Sequence, residues 1–401
     1  MELPIRGLPF EVPAYSLTGD ILAFQRCGLQ YRYYNRSALP PSRPVQLWTG
    51  EFVHGVMEEA FLYWRTHLTP FPWPCHKTPW PAPSTKLSRA KYDLGELGDQ
   101  VEARLLATGK IPRSSVARDA AYRRVDAAIQ KLAPHLFPLI SSVEEKVSST
   151  RAMPQVQGQP GQARRGDRYE LTGRVDVISS VSLSKHTDNL LVQKLRKENP
   201  VLSLSDTVDV IVDYKAARRP PIIPSQGQKD YWKFEAWQVQ TYAWLRRQQP
   251  AAHPVKAGIL VYVNELSPSS SELEELKKEI TRGRTDVWPG NGSADYYALN
   301  TWKSGNPTPI FTDLFLLNRA IRIVAVDSTH IDQAVAQIDK VVSEIEACAL
   351  YENATGTIPG NWVANGGDQD CDACDFHHFC PSPAKTRGLT HQKIQPPVAP
   401  G

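Results

Sequence analysis

The run Val208–Ala216, Val-Asp-Val-Ile-Val-Asp-Tyr-Lys-Ala, constrains this chain more than any other stretch. Valine, isoleucine and tyrosine dominate it, so it reads as a buried strand. Side chains two apart on a strand share a face. Asp213 and Lys215 therefore point the same way at the end of an apolar run. A carboxylate and an ammonium placed like that can hold a divalent metal and a phosphate side by side. An ordinary ion pair at a strand end uses the same two residues, so the neighbours decide between the readings.

With 401 residues the chain has room for one large core or two smaller ones. A hydrophobic fraction of 41% describes a globular protein, and no apolar run reaches the roughly 18 residues of a membrane helix. Met1–Pro13 has no apolar core of signal-peptide type. The expectation is a cytoplasmic protein with no membrane partner. A net charge of +4 is compatible with nucleic acid without requiring it.

Six cysteines are unevenly spread: Cys27, Cys75, Cys348, Cys371, Cys374 and Cys380. A disulfide scaffold does not suit a chain this long without a secretory signal. The run Cys371-x2-Cys374-x5-Cys380-Pro381 is the most specific local signal. Thiolates at this spacing hold zinc or an iron–sulfur cluster, and both usually take four ligands. Cys27 is the best candidate for the fourth, while His377 and His378 keep zinc open as the rival. Cys348 continues the stripe Ile331, Val335, Ile338, Val342, Ile345 and reads as packing. Cys75 reads as a loop thiol.

Between these landmarks the chain alternates helix and strand. Ser16 or Thr18 caps a short helix ending near Cys27–Gly28. Leu47–His67 is a helix in which His54 and Glu58 share a face, with Gly50 and Gly55 placed to admit another backbone. Thr69–Ser84, rich in proline and tryptophan, is an ordered surface loop or lid; Trp73 and Trp80 in it either stack on unpaired bases or hold the loop by their own packing, and self-packing is the reading preferred. Helices follow over Tyr92–Thr108 and Ser114–Leu132, then strands over Val143–Val147 and Tyr169–Val181. In the second of these, Asp176 lies between two valines expected to face the other side. Lys185–Ser205 reads as a polar insertion. Past the Asp213 strand, Arg218 and Arg219 are candidate phosphate contacts. Tyr231–Arg247 is a helix with Gln238 and Tyr242 on one face, Val255–Val263 a strand and Ser271–Arg282 a charged helix. The division expected is one domain over 1–381, with a helical part at about 16–135, a catalytic core at about 142–263 and cluster-binding helices at about 310–381. The tail 382–401 is expected to be mobile.

His54, Asp176, Asp213, Lys215, Gln238 and Tyr242 form a dispersed constellation. Two carboxylates and a neutral imidazole suit Mg²⁺ or Mn²⁺. Such a metal lowers the pKa of bound water and stabilises charge on a phosphoryl oxygen. Lys215 would hold the attacking water or neutralise developing charge.

In order and context these residues resemble the PD-(D/E)XK nucleases of the RecB-like branch that carries an iron–sulfur cluster. That branch includes CRISPR-associated nucleases and exonuclease V relatives. The resemblance runs from Ser16-Leu17 and Cys27 through Gly50-Glu51-x2-His54, Gly173-x2-Asp176, Asp213-Tyr214-Lys215 and Gln238-x3-Tyr242 to Cys371-x2-Cys374-x5-Cys380-Pro381. It implies an α/β, restriction-endonuclease-like core: a central mixed sheet flanked by helices, with a cluster region joining the N- and C-terminal segments. It implies His54, Asp176 and Asp213 as metal ligands, Lys215 as the catalytic lysine, and Gln238 and Tyr242 as DNA- or site-contacting residues. It implies Cys27, Cys371, Cys374 and Cys380 as [4Fe–4S] ligands.

The function so implied is metal-dependent hydrolysis of DNA, single strands from an end in particular, in repair, recombination or CRISPR and phage defence. Repair or CRISPR-adaptation proteins would then be partners. The rival readings are a non-catalytic DNA-binding or adaptor subunit, against which the intact Asp213–Lys215 pair argues, and a zinc-ribbon protein with an unrelated hydrolase core. The chain is longer than the CRISPR-associated members and closer in size to the exonuclease V relatives. The Trp73–Trp80 loop, Lys185–Ser205 and Ser267–Ile310 therefore look like additions.

Overall fold

The computed structural model describes residues 12–35, 46–75, 93–155, 166–200, 202–203, 206–225, 230–367, 370–371, 374–377 and 380–381. Trp80, His378 and the tail 382–401 lie outside the described residues.

In chain order the elements are β1 (Ala14–Ser16), a π-helical turn (Leu17–Leu22), α1 (Ala23–Arg26), α2 (Gly28–Tyr34), α3 (Gln46–His67), α4 (Leu94–Ala107), α5 (Ser115–Lys131), α6 (Ala133–Leu136), β2 (Ile140–Ala152), β3 (Arg168–Ser182), α7 (Leu190–Glu198), β4 (Thr207–Lys215), α8 (Tyr231–Arg247), β5 (Val255–Tyr262), α9 (Ser270–Thr281), α10 (Ala294–Thr301), α11 (Asp313–Ala320), β6 (Ile321–Ala325) and α12 (Ser328–Thr355). Side-chain caps fix many helix starts. Ser16 accepts from the Gly19 amide, Ser114 from Ala117, and Ser269 with Glu272 closes a capping box at α9.

The strands form one mixed sheet. β3 pairs antiparallel with β2 and β4 and parallel with β1. β4 runs parallel to β5, and β6 closes the sheet antiparallel to β5. β1 and β6 lie outside the 142–263 span expected for the core; strands of three and five residues leave little periodicity to read. Each face of the sheet is covered. On one side Val208, Val210, Val212 and Tyr214 of β4 pack under α3 to α6 together with α9 to α11. On the other, Ile211 and Leu260 pack against α8, α12 and the N-terminal helices. The result is a helix–sheet–helix sandwich in which β4 is buried on both faces, as a parallel-paired strand must be.

Two expectations need correcting, and one open choice is decided. Lys185–Ser205 is not simply a polar insertion: it contains α7, whose Leu191, Val192 and Leu195 are buried in the core. Those three residues share one face, and the polar majority around them hid the period. Gly50 and Gly55 admit no second backbone. Nothing lies within 4 Å of where a Gly50 Cβ would stand, and Gly55 makes room for the Val101 side chain of α4 at 2.9 Å. Of the two readings of Trp73, self-packing holds: the side chain is fully buried, donates to the Thr69 carbonyl and stacks on Phe71, so it is no platform for bases.

The N- and C-terminal segments of the described residues meet. Leu29 N donates to the Val363 carbonyl at 3.0 Å and Gly28 N to Asn365 Oδ1 at 3.1 Å. Arg32 pairs with Glu352, which also accepts from the Trp362 indole. Tyr34 donates to Asp375, and Tyr33 and Tyr34 pack on Phe376. At Gly28 a Cβ would stand 3.2 Å from the Val363 oxygen, so any larger residue would push these segments a few tenths of an ångström apart.

Candidate active site and cysteine cradle

The β2–β3 ladder is interrupted where Glu144 faces Asp176: its pairs run Val143 with Val177, then Glu145 with Val175. Glu144 has φ +50°, an uncommon backbone for a non-glycine residue and one that clusters at functional sites. The alternation of β3 breaks at the same point. Val175 packs in the α8-side core, but Val177 packs in the α3-side core. The expectation that both valines face away from Asp176 is thereby corrected; the strand changes phase around it.

This break turns two carboxylates toward α3, where His54 waits. Ligand atoms of His54, Glu144 and Asp176 all lie within 4.8 Å of one another, the one such His/Cys/Asp/Glu group among the described residues. Asp176 Oδ2 accepts from the Tyr214 amide at 2.8 Å. His54 Nε2 lies 3.0 Å from the Tyr214 carbonyl oxygen. A carbonyl only accepts, so Nε2 carries a proton and donates. Nδ1 then faces Asp176 Oδ1 at 3.4 Å. A ring nitrogen left open by a backbone bond on the other nitrogen is the usual arrangement of a metal-ligating histidine. Burial disfavours the imidazolium, but Asp176, with Asp213 and Glu144, raises the His54 pKa to about 9. Burial and Asp176 likewise hold the Glu144 carboxyl above its ordinary range.

Asp213 and Lys215 stand beside this group. Gln238 of α8 donates to Asp213 Oδ1 at 2.9 Å and accepts from Lys215 Nζ at 2.7 Å. Lys215 Nζ also sits 2.6 Å from Asp213 Oδ2, a close ion pair. Burial pushes the Asp213 carboxyl up to about 6 against the pull of Lys215. Burial opposes the Lys215 charge too, but Asp213 and Glu235 outweigh it and hold the ammonium above its ordinary range. Tyr242, one turn beyond Gln238, has its hydroxyl 3.5 Å from Gln238 Nε2. Its ring fits over Gly173, where a Cβ would stand 2.7 Å from the Tyr242 ring.

The structure thus brings His54, Asp176, Asp213, Lys215, Gln238 and Tyr242 to one place. Glu144 is the residue the sequence reading missed. An acid in a strand next to a second acid is commonplace, and only the pairing with Asp176 gives it meaning. Arg218 and Arg219 do not join the site. Arg219 is 4% exposed, paired with Asp286 and donating to the carbonyls of Arg319 and Ile321. Arg218 pairs with Glu279. Both charges are neutralised internally, which removes them as phosphate contacts.

Where the N- and C-terminal segments join, Cys27, Cys371, Cys374 and Cys380 line one small cavity with Gln30, Ala364, Gly366 and Asp370. Gly366 shapes its wall: a Cβ there would stand 3.2 Å from Cys371 Sγ and 3.6 Å from Cys27 Cβ. His377 Nδ1 lies 3.0 Å from the Cys374 carbonyl oxygen. Cys75 and Cys348 lie elsewhere, and burial raises the Cys348 thiol to about 11.

Residues 19–188 and 205–381 match the family model of the PD-(D/E)XK nuclease superfamily. The chain belongs to that superfamily, and with it to a class of metal-dependent nucleases. The match breaks over the span that holds α7. Comparison with curated proteins found no match. Among solved structures the chain is similar to one described as "Crystal structure of SSO0001", at 12% identity and a TM-score of 0.26, over 88% of this chain and 94% of that one. A likeness at that level decides nothing about function. No described helix is long and apolar enough to cross a membrane.

Proposed function

We propose that this protein is a Mg²⁺- or Mn²⁺-dependent deoxyribonuclease that degrades single-stranded DNA from a free end, in DNA repair or defence against foreign DNA. The observation that carries the reading is the convergence of His54, Glu144 and Asp176 beside Asp213 and Lys215. One imidazole and several carboxylates suit a hard divalent ion. His54 Nδ1, Glu144 and Asp176 would hold it, with Asp213 alongside. Bound there, it would polarise a phosphoryl oxygen and acidify water.

The chain's own residues do the rest. The Tyr214 backbone fixes both His54 and Asp176 through its two polar groups. Gln238 locks Asp213 and Lys215 in one arrangement. The Lys215 ammonium supplies fixed positive charge where the phosphoryl group gains negative charge. Tyr242 positions substrate. The test is end-labelled single- and double-stranded DNA with Mg²⁺, Mn²⁺ or EDTA. Metal-dependent shortening from one end is expected; metal-independent or absent cleavage would sink the reading.

The cysteine cradle supports a structural [4Fe–4S] cluster held by Cys27, Cys371, Cys374 and Cys380. Such a cluster would tie the N- and C-terminal segments more firmly than their hydrogen bonds do. Cys27→Ser should lose iron, sulfide and brown colour as Cys371→Ser does, while Cys75→Ser and Cys348→Ser keep them. A colourless wild-type protein loaded with zinc would overturn this assignment.

A further inference from the structure

The β2–β3 hairpin has one face that neither core covers. Val147, Tyr169, Leu171 and Val175 turn inward to the α8-side core. Their neighbours, one position along each strand, turn the other way. On β2 these are Lys146, Ser148 and Thr150; on β3 they are Arg168, Thr172 and Arg174. Lys146, Ser148, Thr150, Arg168 and Arg174 are exposed, and Thr172 is half-buried. The same two rows end at Glu144 and Asp176, the carboxylates of the candidate metal group. From Arg168 to Asp176 the row spans roughly 26 Å.

The pairing on this face is odd for a hairpin selected only for stability. Lys146 stands directly opposite Arg174 in the ladder, and like charges directly opposite are destabilising. Ser148 stands opposite Thr172. Arg174 is 55% exposed, and its ion pair with Glu144 is long, at 3.6 Å. Arg168 is held over the hairpin by Thr150 Oγ1 at 2.9 Å. Unlike Arg218 and Arg219, these cations are turned to solvent. Glu170, half-buried, is the acid among them before the metal group is reached.

We infer that this face is the track along which the sugar–phosphate backbone of a DNA strand lies as it enters the site. The inference rests on the nuclease reading and deepens it. Cations and hydroxyls in a row, with no apolar pockets, read phosphates and not bases. Repulsion between Lys146 and Arg174 is relieved by an anion placed between them, and a guanidinium takes a phosphate bidentately.

The test uses the full chain and an end-labelled single-stranded oligodeoxynucleotide in EDTA, so that binding is read without cleavage. Affinity is measured across a salt series for wild type, Lys146→Gln, Arg174→Gln and the double variant. Lys256→Gln is the control, at the end of β5 away from Asp213 and Lys215. Each lost phosphate contact should lower the slope of log affinity against log salt by about 0.7 for a single strand. The double variant should lose about twice that and keep or raise its melting temperature, because a repulsive pair has gone. Lys256→Gln should leave the slope unchanged. If wild type binds and cleaves DNA but the double variant has the wild-type slope, the track is wrong and the nuclease stands. If wild type neither binds nor cleaves DNA, both fall.

Discussion

Two aspartates lie four residues apart on β4, in the same apolar run and on the same α8-facing side. Asp209 is completely satisfied. Arg246 Nε donates to Oδ2 at 2.8 Å, the His253 amide to the same oxygen at 3.1 Å, and Ser180 Oγ to Oδ1 at 2.6 Å. Asp213, equally buried, has Gln238 on one oxygen and the Lys215 ammonium, at 2.6 Å, on the other, and its pKa is pushed up to about 6. The first is held by donors from three separate segments, the second by two groups of the candidate site. Residue type and strand position are the same; what separates them is the partners the surroundings supply.

The largest expected effect separates the two. Asp213→Asn and Lys215→Ala should each lower cleavage by at least about 10²–10³-fold, the scale of losing a charge-stabilising group. Each also removes one partner of a buried ion pair, so stability should fall too, but the loss of cleavage should persist when rates are referred to the folded fraction. Asp209→Ala should act through stability alone. Removing one partner of a buried pair costs about 3–5 kcal/mol, measured by urea unfolding, and any loss of cleavage should follow the fraction unfolded. If Asp209→Ala left stability untouched, the distinction between the two aspartates would collapse.

Next in size is the metal group. Glu144→Gln and His54→Ala should weaken apparent Mg²⁺ affinity by about 10–100-fold, the scale of losing ligand support at a metal site, with partial recovery at high Mn²⁺. The measurement is cleavage rate against metal concentration. A Glu144→Gln protein with unchanged metal dependence would return Glu144 to an ordinary strand acid with an uncommon backbone.

The sequence makes one of these aspartates prominent for a reason that is only half physical. Val208–Lys215 is legible as a strand because both of its faces are apolar, and Asp213-x-Lys215 is legible because two residues apart means one face. The helices α3, α5, α8 and α12 are legible from their apolar stripes and, for α5, from the Ser114 cap. Asp209 lies in the same apolar run but has Ile211 where Asp213 has Lys215; that its charge is satisfied is not legible, because Arg246 and Ser180 reach it from distant segments. Glu144 is hidden for a related reason: its φ of +50° and its opposition to Asp176 are tertiary facts. Arg219 misleads because a doublet of arginines just past the Asp213 strand looks exposed until Asp286 is seen to cover it. Local periodicity is written in consecutive residues, whereas the satisfaction of a buried charge is decided across the fold.

The smallest effect tests how finely the Asp213 side of the comparison is tuned. Tyr242 touches the site by two routes, a hydroxyl 3.5 Å from Gln238 Nε2 and a ring laid over Gly173. At that distance the hydroxyl bond is weak, so Tyr242→Phe should preserve the Gln238 lock and change kcat only a few-fold, with KM for DNA moving more. Gly173→Ala should hurt more than Tyr242→Phe. Its new methyl would stand 2.7 Å from Cε1 and 3.2 Å from Cδ1 of the ring, and overpacking of this kind costs about 1–3 kcal/mol. The ring must then move toward Gln238, which carries both Asp213 and Lys215. Shrinking the ring in Gly173→Ala/Tyr242→Leu should restore most of the stability, read by urea unfolding, and part of the rate. If the double variant is no better than Gly173→Ala alone, the clash is not what glycine avoids at this position, and the route from β3 through Tyr242 to Asp213 has to be redrawn.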